Sequence, residues 1–188
     1  MKLTVIYFFN ISLFHLAASK NNIEILQLLL AQDGATIETR MFKGCKKLTH
    51  ISIPPSISAI GESAFYECSS LTEVSIPPSV TQIGTCAFGK CASLVKVSIP
   101  HFVTKIESHT FSECTSLQNV EIPSSITEIG EFAFYGCSSL RQISIPSSVT
   151  VIGDNAFNRC SSLAEIKMKA NIDAKNLGID SNVRVTLF

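Results

Sequence analysis

The chain contains no tryptophan, and Asp, Glu, Lys and Arg together make up only 16% of its 188 residues, below the quarter or so usual in soluble domains. The shortfall suits a surface rich in Ser and Thr. Acidic and basic residues number 15 each, so no basic stripe points to nucleic acid and no acidic block to a solvating tail. Beyond the first 19 residues no uncharged apolar run is long enough to cross a bilayer, and no integral membrane span is expected. Low-complexity linkers are missing. So are G-x-S-x-G, a phosphate-binding loop and H-E-x-x-H. The cysteines include no C-x2-C pair of the kind zinc sites use. Neither an enzyme nor a cofactor or metal site is expected, and one domain with a small appendage accounts for the length.

What the chain does have is a period. Cys45, Cys68, Cys91, Cys114, Cys137 and Cys160 follow one another at intervals of 23 residues. Phe42, Phe65, Phe88, Phe111, Phe134 and Phe157 stand three residues before them, and Leu48, Leu71, Leu94, Leu117, Leu140 and Leu163 three after. A fixed period in the twenties predicts a solenoid, which offers a long surface for binding and rarely encloses a catalytic pocket. One thiol per coil at equivalent positions predicts a buried column in which Cys acts as a small hydrophobe. Cys86 is off this column and is the thiol most open to solvent. Unpaired thiols lean towards a reducing compartment.

Within one repeat, Leu71-x-x-Val74-x-Ile76 alternates as a half-buried strand does. Pro77 ends the strand because proline cannot donate to a ladder. Val80 and Ile83 supply two more inward residues, Gly84 a permissive turn, and Ala87-Phe88-x-x-Cys91 a short helical or irregular return. The strand slots hold only Ile and Val (Ile51, Val74, Val97, Val120, Ile143, Ile166), the volume-conserving variation a packed core tolerates.

These residues resemble the BspA-like class of leucine-rich repeat, with its C-x-x-L-x-x-I-x-I-P and V-T-x-I-G-x-x-A-F signature. Cys137 to Pro146 and Val149 to Phe157 fit it slot by slot, and the resemblance covers residues 41–169. It implies an α/β solenoid, curved, with a parallel sheet on the concave side. It also implies protein binding, often as surface antigens or adhesins, and no catalytic residues. Residues 12–35 resemble an ankyrin repeat, with His15 and Leu16-Ala17-Ala18 opening one helix and Ile23 to Leu30 forming a second. In that helix Ile23, Ile25, Leu26 and Leu28 to Leu30 gather near one face. Such a unit could cap the first coil. The rival reading is a secretory signal, from Lys2, the apolar run Leu3 to Leu16 and the small residues Ala17-Ala18-Ser19, although Asn10 and His15 sit poorly in its apolar centre; Asn10-Ile11-Ser12 is the one N-x-S/T sequon. The expected organisation is a helical or signal-like unit at 1–40, about six coils at 41–169, and a C-terminal cap at 170–188. There Val183 to Phe188 forms a last strand and lysines guard the open edge.

The outward strand positions vary while the core does not. His50, Ser52, Glu73, Ser75, Lys96, Ser98, Asn119, Glu121, Gln142 and Ser144 are the candidate protein-binding residues of the concave sheet. The third repeat departs most. His101-Phe102 replaces Pro-Ser, Glu107 replaces the turn glycine, and Phe102 is a candidate aromatic anchor. Tyr66, Phe132 and Tyr135 are further outward candidates. The expected function is a non-enzymatic protein-interaction module, monomeric and cytoplasmic. The alternative is a secreted or surface adhesin that binds host or matrix protein. A redox switch at Cys86 would require a low thiol pKa.

Overall fold

The computed structural model describes residues 13–32, 35–170, 172 and 176–188. The reading of residues 1–12 as the start of a signal lies outside them. The chain winds as a parallel-strand solenoid. Its first ladder runs through β1 (His50–Ser52), β3 (Glu73–Ser75), β5 (Lys96–Ser98), β7 (Asn119–Glu121), β9 (Gln142–Ser144), β11 (Glu165–Met168) and β12 (Arg184–Leu187). Paired residues up to β11 are 23 apart, as in His50–Glu73 and Lys96–Asn119, so one coil is one sequence period; β11 and β12 pair at 19. The central residue of each strand points inward, and the flanking residues face out.

A second parallel ladder, which sequence patterning did not reveal, passes through β2 (Ala59–Ile60), β4 (Gln82–Ile83), β6 (Lys105–Ile106), β8 (Glu128–Ile129) and β10 (Val151–Ile152). Two-residue strands have no alternation to read. They are held by partners one coil away, which is a property of the stack.

The core is built from columns. The rings of Phe42, Phe65, Phe88, Phe111, Phe134 and Phe157 lie 5.0–5.7 Å apart, with interplanar angles of 23° or less. All six column cysteines are buried, and they do more than fill space. Each thiol from Cys68 to Cys160 donates to a phenylalanine carbonyl one coil back, at 3.0–3.2 Å. That carbonyl already accepts from the backbone N–H of the cysteine in its own coil. Both lone pairs of a buried oxygen are thus used.

The return segments hold no helix; they are turns with a repeated left-handed backbone. Residues two before each column phenylalanine (Arg40, Ser63, Cys86, His109, Phe132, Asn155) have φ of 53–60°, and those two after have φ of 58–73°. Side chains other than glycine adopt this region at a cost of roughly 1–2 kcal/mol. The compensation is a third set of inter-coil bonds: in the first coil the N–H groups of Arg40, Phe42 and Gly44 donate to the carbonyls of Glu62, Ala64 and Tyr66, at 2.7–2.9 Å, and later coils repeat the pattern.

Two short helices close the N-terminal end. The first (α1) is helical over 13–19 and the second (α2) spans Ile23–Leu30, capped by the Asn22 side chain, which accepts from the Ile25 N–H. Phe14 meets Phe42 edge-on at 6.2 Å. Asn21 Oδ1 accepts from the Thr49 N–H, and Gln27 Nε2 donates to the Ser52 carbonyl, so side chains of the helix pair cover the free edge of β1. The apolar face of α2 is narrower than expected: Leu26 and Leu30 are buried, while Ile25 and Leu28 are exposed. At the other end β12 pairs in register with β11. The one lysine of the expected cap, Lys175, and with it the expected lysine guard, lies outside the described residues.

The stack has two faults. Among the described residues β3 and β5 share no ladder pairing, nor do β4 and β6, so both ladders lapse between the second and third coils; β7 and β9 are likewise unpaired. Glu107 explains the lapse in the second ladder. In neighbouring coils its slot holds glycine, and a Cβ on Gly84 or Gly130 would come within 2.7 or 2.6 Å of the backbone N one coil back. The N–H groups of Gly61, Gly84, Gly130 and Gly153 each donate to the isoleucine carbonyl of the previous coil, at 2.7–2.9 Å. Glu107 must stand off, and among the described residues its N–H makes no such bond to Ile83. Glu107→Gly should therefore raise stability by about 1 kcal/mol, from regained bonds of roughly 0.5–1.5 kcal/mol each less roughly 0.5–1 kcal/mol of glycine entropy. A lower melting temperature would contradict the steric account. Leu117→Ala, at a fully buried column position, should cost roughly 2–5 kcal/mol by leaving a cavity, read from denaturant unfolding.

Candidate protein-binding face

Period-two alternation sends one strand set outward and aligns it in columns. His50 pairs with Glu73, Lys96 with Asn119, and Gln142 with Glu165. The next column pairs Ser52 with Ser75, Ser98 with Glu121, and Ser144 with Lys167. All ten candidate strand residues from His50 to Ser144 are exposed. Charge of both signs is interspersed: Lys96 Nζ lies 3.3 Å from Glu121 Oε1 and Lys167 Nζ lies 3.9 Å from Glu165 Oε2. Pairs this exposed add little stability, so their effect is on which partner chemistry the face accepts. Three open depressions mark it, and each takes in an unpaired joint of the ladder. One, of about 360 Å³, spans β5 to β11, with Val120 and Ile143 among its lining residues; one of about 560 Å³ runs from Gln118 and Asn119 to Arg184; and one of about 460 Å³ lies across β3 and β5.

His101 and Phe102 do not join this face. They sit on the turn after β5, both exposed, Phe102 by 67%. In the slot that Phe102 takes, Ser79 and Ser125 donate Oγ–H to the carbonyls of Ile57 and Val103 one coil back, at 2.8 and 2.7 Å. Phe102 gives up that bond. Tyr66, Phe132, Tyr135 and His109 gather instead on the left-handed edge, apart from the strand face. The sequence marks Tyr66, Phe132 and Tyr135 as outward but carries no signal that would bring them together with His109. Among the described residues no three His, Cys, Asp or Glu side chains converge as a metal site would need, and no helix is long and apolar enough to cross a membrane.

With this geometry in hand, comparison with known proteins is specific. A model of the BspA type leucine rich repeat region matches as six copies over residues 14–107 and 83–179. The chain is 38% identical to a leucine rich cell surface protein from Faecalibacterium prausnitzii (TM-score 0.67), covering 74% of this chain and 39% of that one. It is 29% identical to a leucine-rich repeat protein from Bacteroides ovatus (TM-score 0.61), over 76% of this chain and 46% of the other. A leucine rich repeat protein of T. pallidum is 26% identical (TM-score 0.50), over 83% and 65%. The chain thus spans less than half the length of the first two. No curated protein matches it. No comparison brings out an ankyrin repeat; the repeat match begins at residue 14, inside α1.

The thiols divide sharply. Burial pushes Cys45 up to about 11, and Cys114 and Cys160 up to about 12; Cys68, Cys91 and Cys137 rise for the same reason. Cys45, with no coil before it, lies 3.6 Å from His15 Nδ1 and 3.9 Å from the His15 carbonyl. Cys86 is partly exposed, yet its pKa is also raised, chiefly by desolvation and then by Glu62, against a lowering from Lys43. This is the reverse of what a redox nucleophile needs. Iodoacetamide should modify one thiol per native chain, at Cys86, no faster than free cysteine, and Cys86→Ser should abolish the reaction. The buried column has a consequence for alkaline stability. Unfolded thiols ionise near 9 and folded ones only at higher pH, so the stability tied to their burial is complete below about pH 9 and lost as pH rises towards 11–12. A melting temperature that stays level from pH 9 to 11 would contradict this.

Proposed function

The chain belongs to the BspA-type leucine-rich repeat family, and from that premise we propose that it is a non-enzymatic recognition module, displayed at the cell surface or secreted, that binds a protein partner through the outward residues of its first ladder. The observation that carries the reading is the contrast within each strand. Core positions change only by conservative swaps, while His50, Glu73, Lys96, Asn119 and Gln142 form an exposed column of unlike chemistry over a regular frame. Mixed charge with hydroxyl neighbours suits a protein surface better than a polyanion, which would need an excess of cations.

The expected cytoplasmic placement finds no support in the comparisons. The alternative draws support from the F. prausnitzii relative, described as a cell surface protein. The thiol argument for a reducing compartment also weakens, because the six column thiols are buried and held as donors within the core. Burial protects them wherever the protein resides.

Two measurements test the proposal. On intact cells of the source organism, a membrane-impermeant amine label should reach the protein; protection from the label until lysis would return it to the interior. The triple variant Lys96→Ala, Glu121→Ala, Gln142→Ala should shift stability by less than about 0.5 kcal/mol per site. It should also lose binding to immobilised extracellular-matrix proteins that retain the unaltered chain. Equal retention of variant and parent would remove the strand face as the binding surface.

A further inference from the structure

The left-handed edge carries a second constellation. Outward of the phenylalanine column, the residues one position after each ring run Tyr66, Gly89, Ser112, Tyr135 along successive coils. Two small residues between two tyrosines open a notch of about 430 Å³, lined also by Cys86, Lys90, His109, Glu113 and Phe132. Its size lies in the small-ligand range of roughly 300–1,000 Å³.

The rings around it are held in place. His109 stacks on Phe132 at 4.9 Å and 11°, and Phe132 meets Tyr135 edge-on at 5.8 Å and 71°. The Arg159 guanidinium sits over Tyr135 at 5.4 Å. Tyr66 carries Lys43 and Lys90 over its ring at 5.1 and 5.6 Å. It lies so close to Gly89 that a Cβ there would come within 2.9 Å of the ring.

Phe132 is the informative residue. It holds a left-handed backbone, φ 54°, where a bulky side chain is a genuine outlier. The inter-coil bonds impose that backbone in every coil, but they do not call for a bulky ring on it, and core packing does not either, since Phe132 is only partly buried and lies outside the core cluster. Strain kept at a partly exposed aromatic residue beside a cleft points to ligand contact.

The rim indicates the ligand's charge. Lys43 and Arg159 lie on the outer sides of the tyrosines, and Lys90, which lines the notch, has its Nζ 3.8 Å from Glu67 Oε1 and 4.0 Å from Glu113 Oε1, so cation and carboxylate balance within the lining. An ionic ligand would have to displace one of these partners. A neutral sugar ring need not. Its C–H face fits against aromatic walls, and its hydroxyls can accept from Lys90 and donate to Glu113. We propose that this notch is a second binding site, independent of the strand face, for a neutral hexose-containing glycan.

The molecule supplies its own reporters. Cys86 lines the notch, and the other six cysteines are buried. Tryptophan is absent, and two of the three tyrosines line the notch. The full chain is titrated with lactose, mannotriose and chitotriose while Cys86 alkylation by iodoacetamide and tyrosine emission are followed. At least one sugar should slow alkylation by about tenfold at about ten times its Kd, with a saturable change in emission. Tyr135→Ala should abolish the protection, and Lys96→Ala on the strand face should leave it intact. Phe132→Asn should also abolish it while leaving the melting temperature unchanged or higher, because asparagine accepts the left-handed backbone. The proposal is overturned if none of the three sugars protects Cys86, or if protection survives in Tyr135→Ala. A lower melting temperature for Phe132→Asn would likewise overturn it, by returning the rings to a packing role.

Discussion

The carbonyl oxygen of each column phenylalanine is a buried acceptor with two lone pairs, and the coil that owns it satisfies only one. The second is met by the cysteine thiol of the following coil, as between Cys91 and Phe65. The bond requires the next coil to arrive at one height and one register, because a buried acceptor left short is expensive. Stacked rings at 5.0–5.7 Å set the same pitch from the apolar side. Once pitch and register are fixed, the strands, the two-residue ladder and the turn-edge bonds fall into place as repeats of one contact. The ends must then imitate a coil. At the N-terminal end His15 stands near the Cys45 thiol, and the side chains of Asn21 and Gln27 meet backbone groups flanking and within β1.

Where the repeat degenerates, the stack loosens. Glu107 keeps the third coil from the second on one ladder, and on the other β3 and β5 stand unpaired. Three turn-edge bonds still cross that joint, from the N–H groups of Ser63, Phe65 and Glu67 to the carbonyls of Thr85, Ala87 and Gly89. The joint is thus fastened at the turn edge and at the foot of β5, where the Val95 N–H donates to the Thr72 carbonyl at 3.3 Å, while the strands themselves stand unpaired. The three depressions on the strand face each take in an unpaired joint, so the same departures that weaken the ladder give an otherwise even face its relief.

The columns were legible in the sequence because each coil restates them. Phe111, Cys114 and Leu117 are buried as their spacing requires, and Lys96 and Asn119 are exposed as strand alternation requires. The second ladder was not legible, because Lys105–Ile106 and Glu128–Ile129 are each too short to show a period. Nor were the left-handed slots. Ser63, Cys86, His109 and Phe132 share no side-chain chemistry that favours φ > 0. Their backbone is imposed by bonds to the next coil, and propensity has no part in it. The width of α2's apolar face was misjudged for a related reason: Leu28 belongs to the helical period, but the first coil is wide enough to bury only Leu26 and Leu30.

The two exposed surfaces differ in what variation on them costs. On the strand face any side chain projects from an ordinary extended backbone, so substitution at Lys96 or Gln142 perturbs almost nothing beneath it. Diversity there is cheap and says little about any single residue. On the turn edge two slots in each coil stand on a left-handed backbone, and glycine or asparagine would relieve the strain there. The edge nevertheless carries Phe132 in line with His109, flanked by tyrosines that lean on their neighbours. A bulky ring in that position opposes stability without entering the core. The weight of a residue as a functional signal therefore rises with the strain it bears, and by that measure the edge is more informative than the broader face beside it.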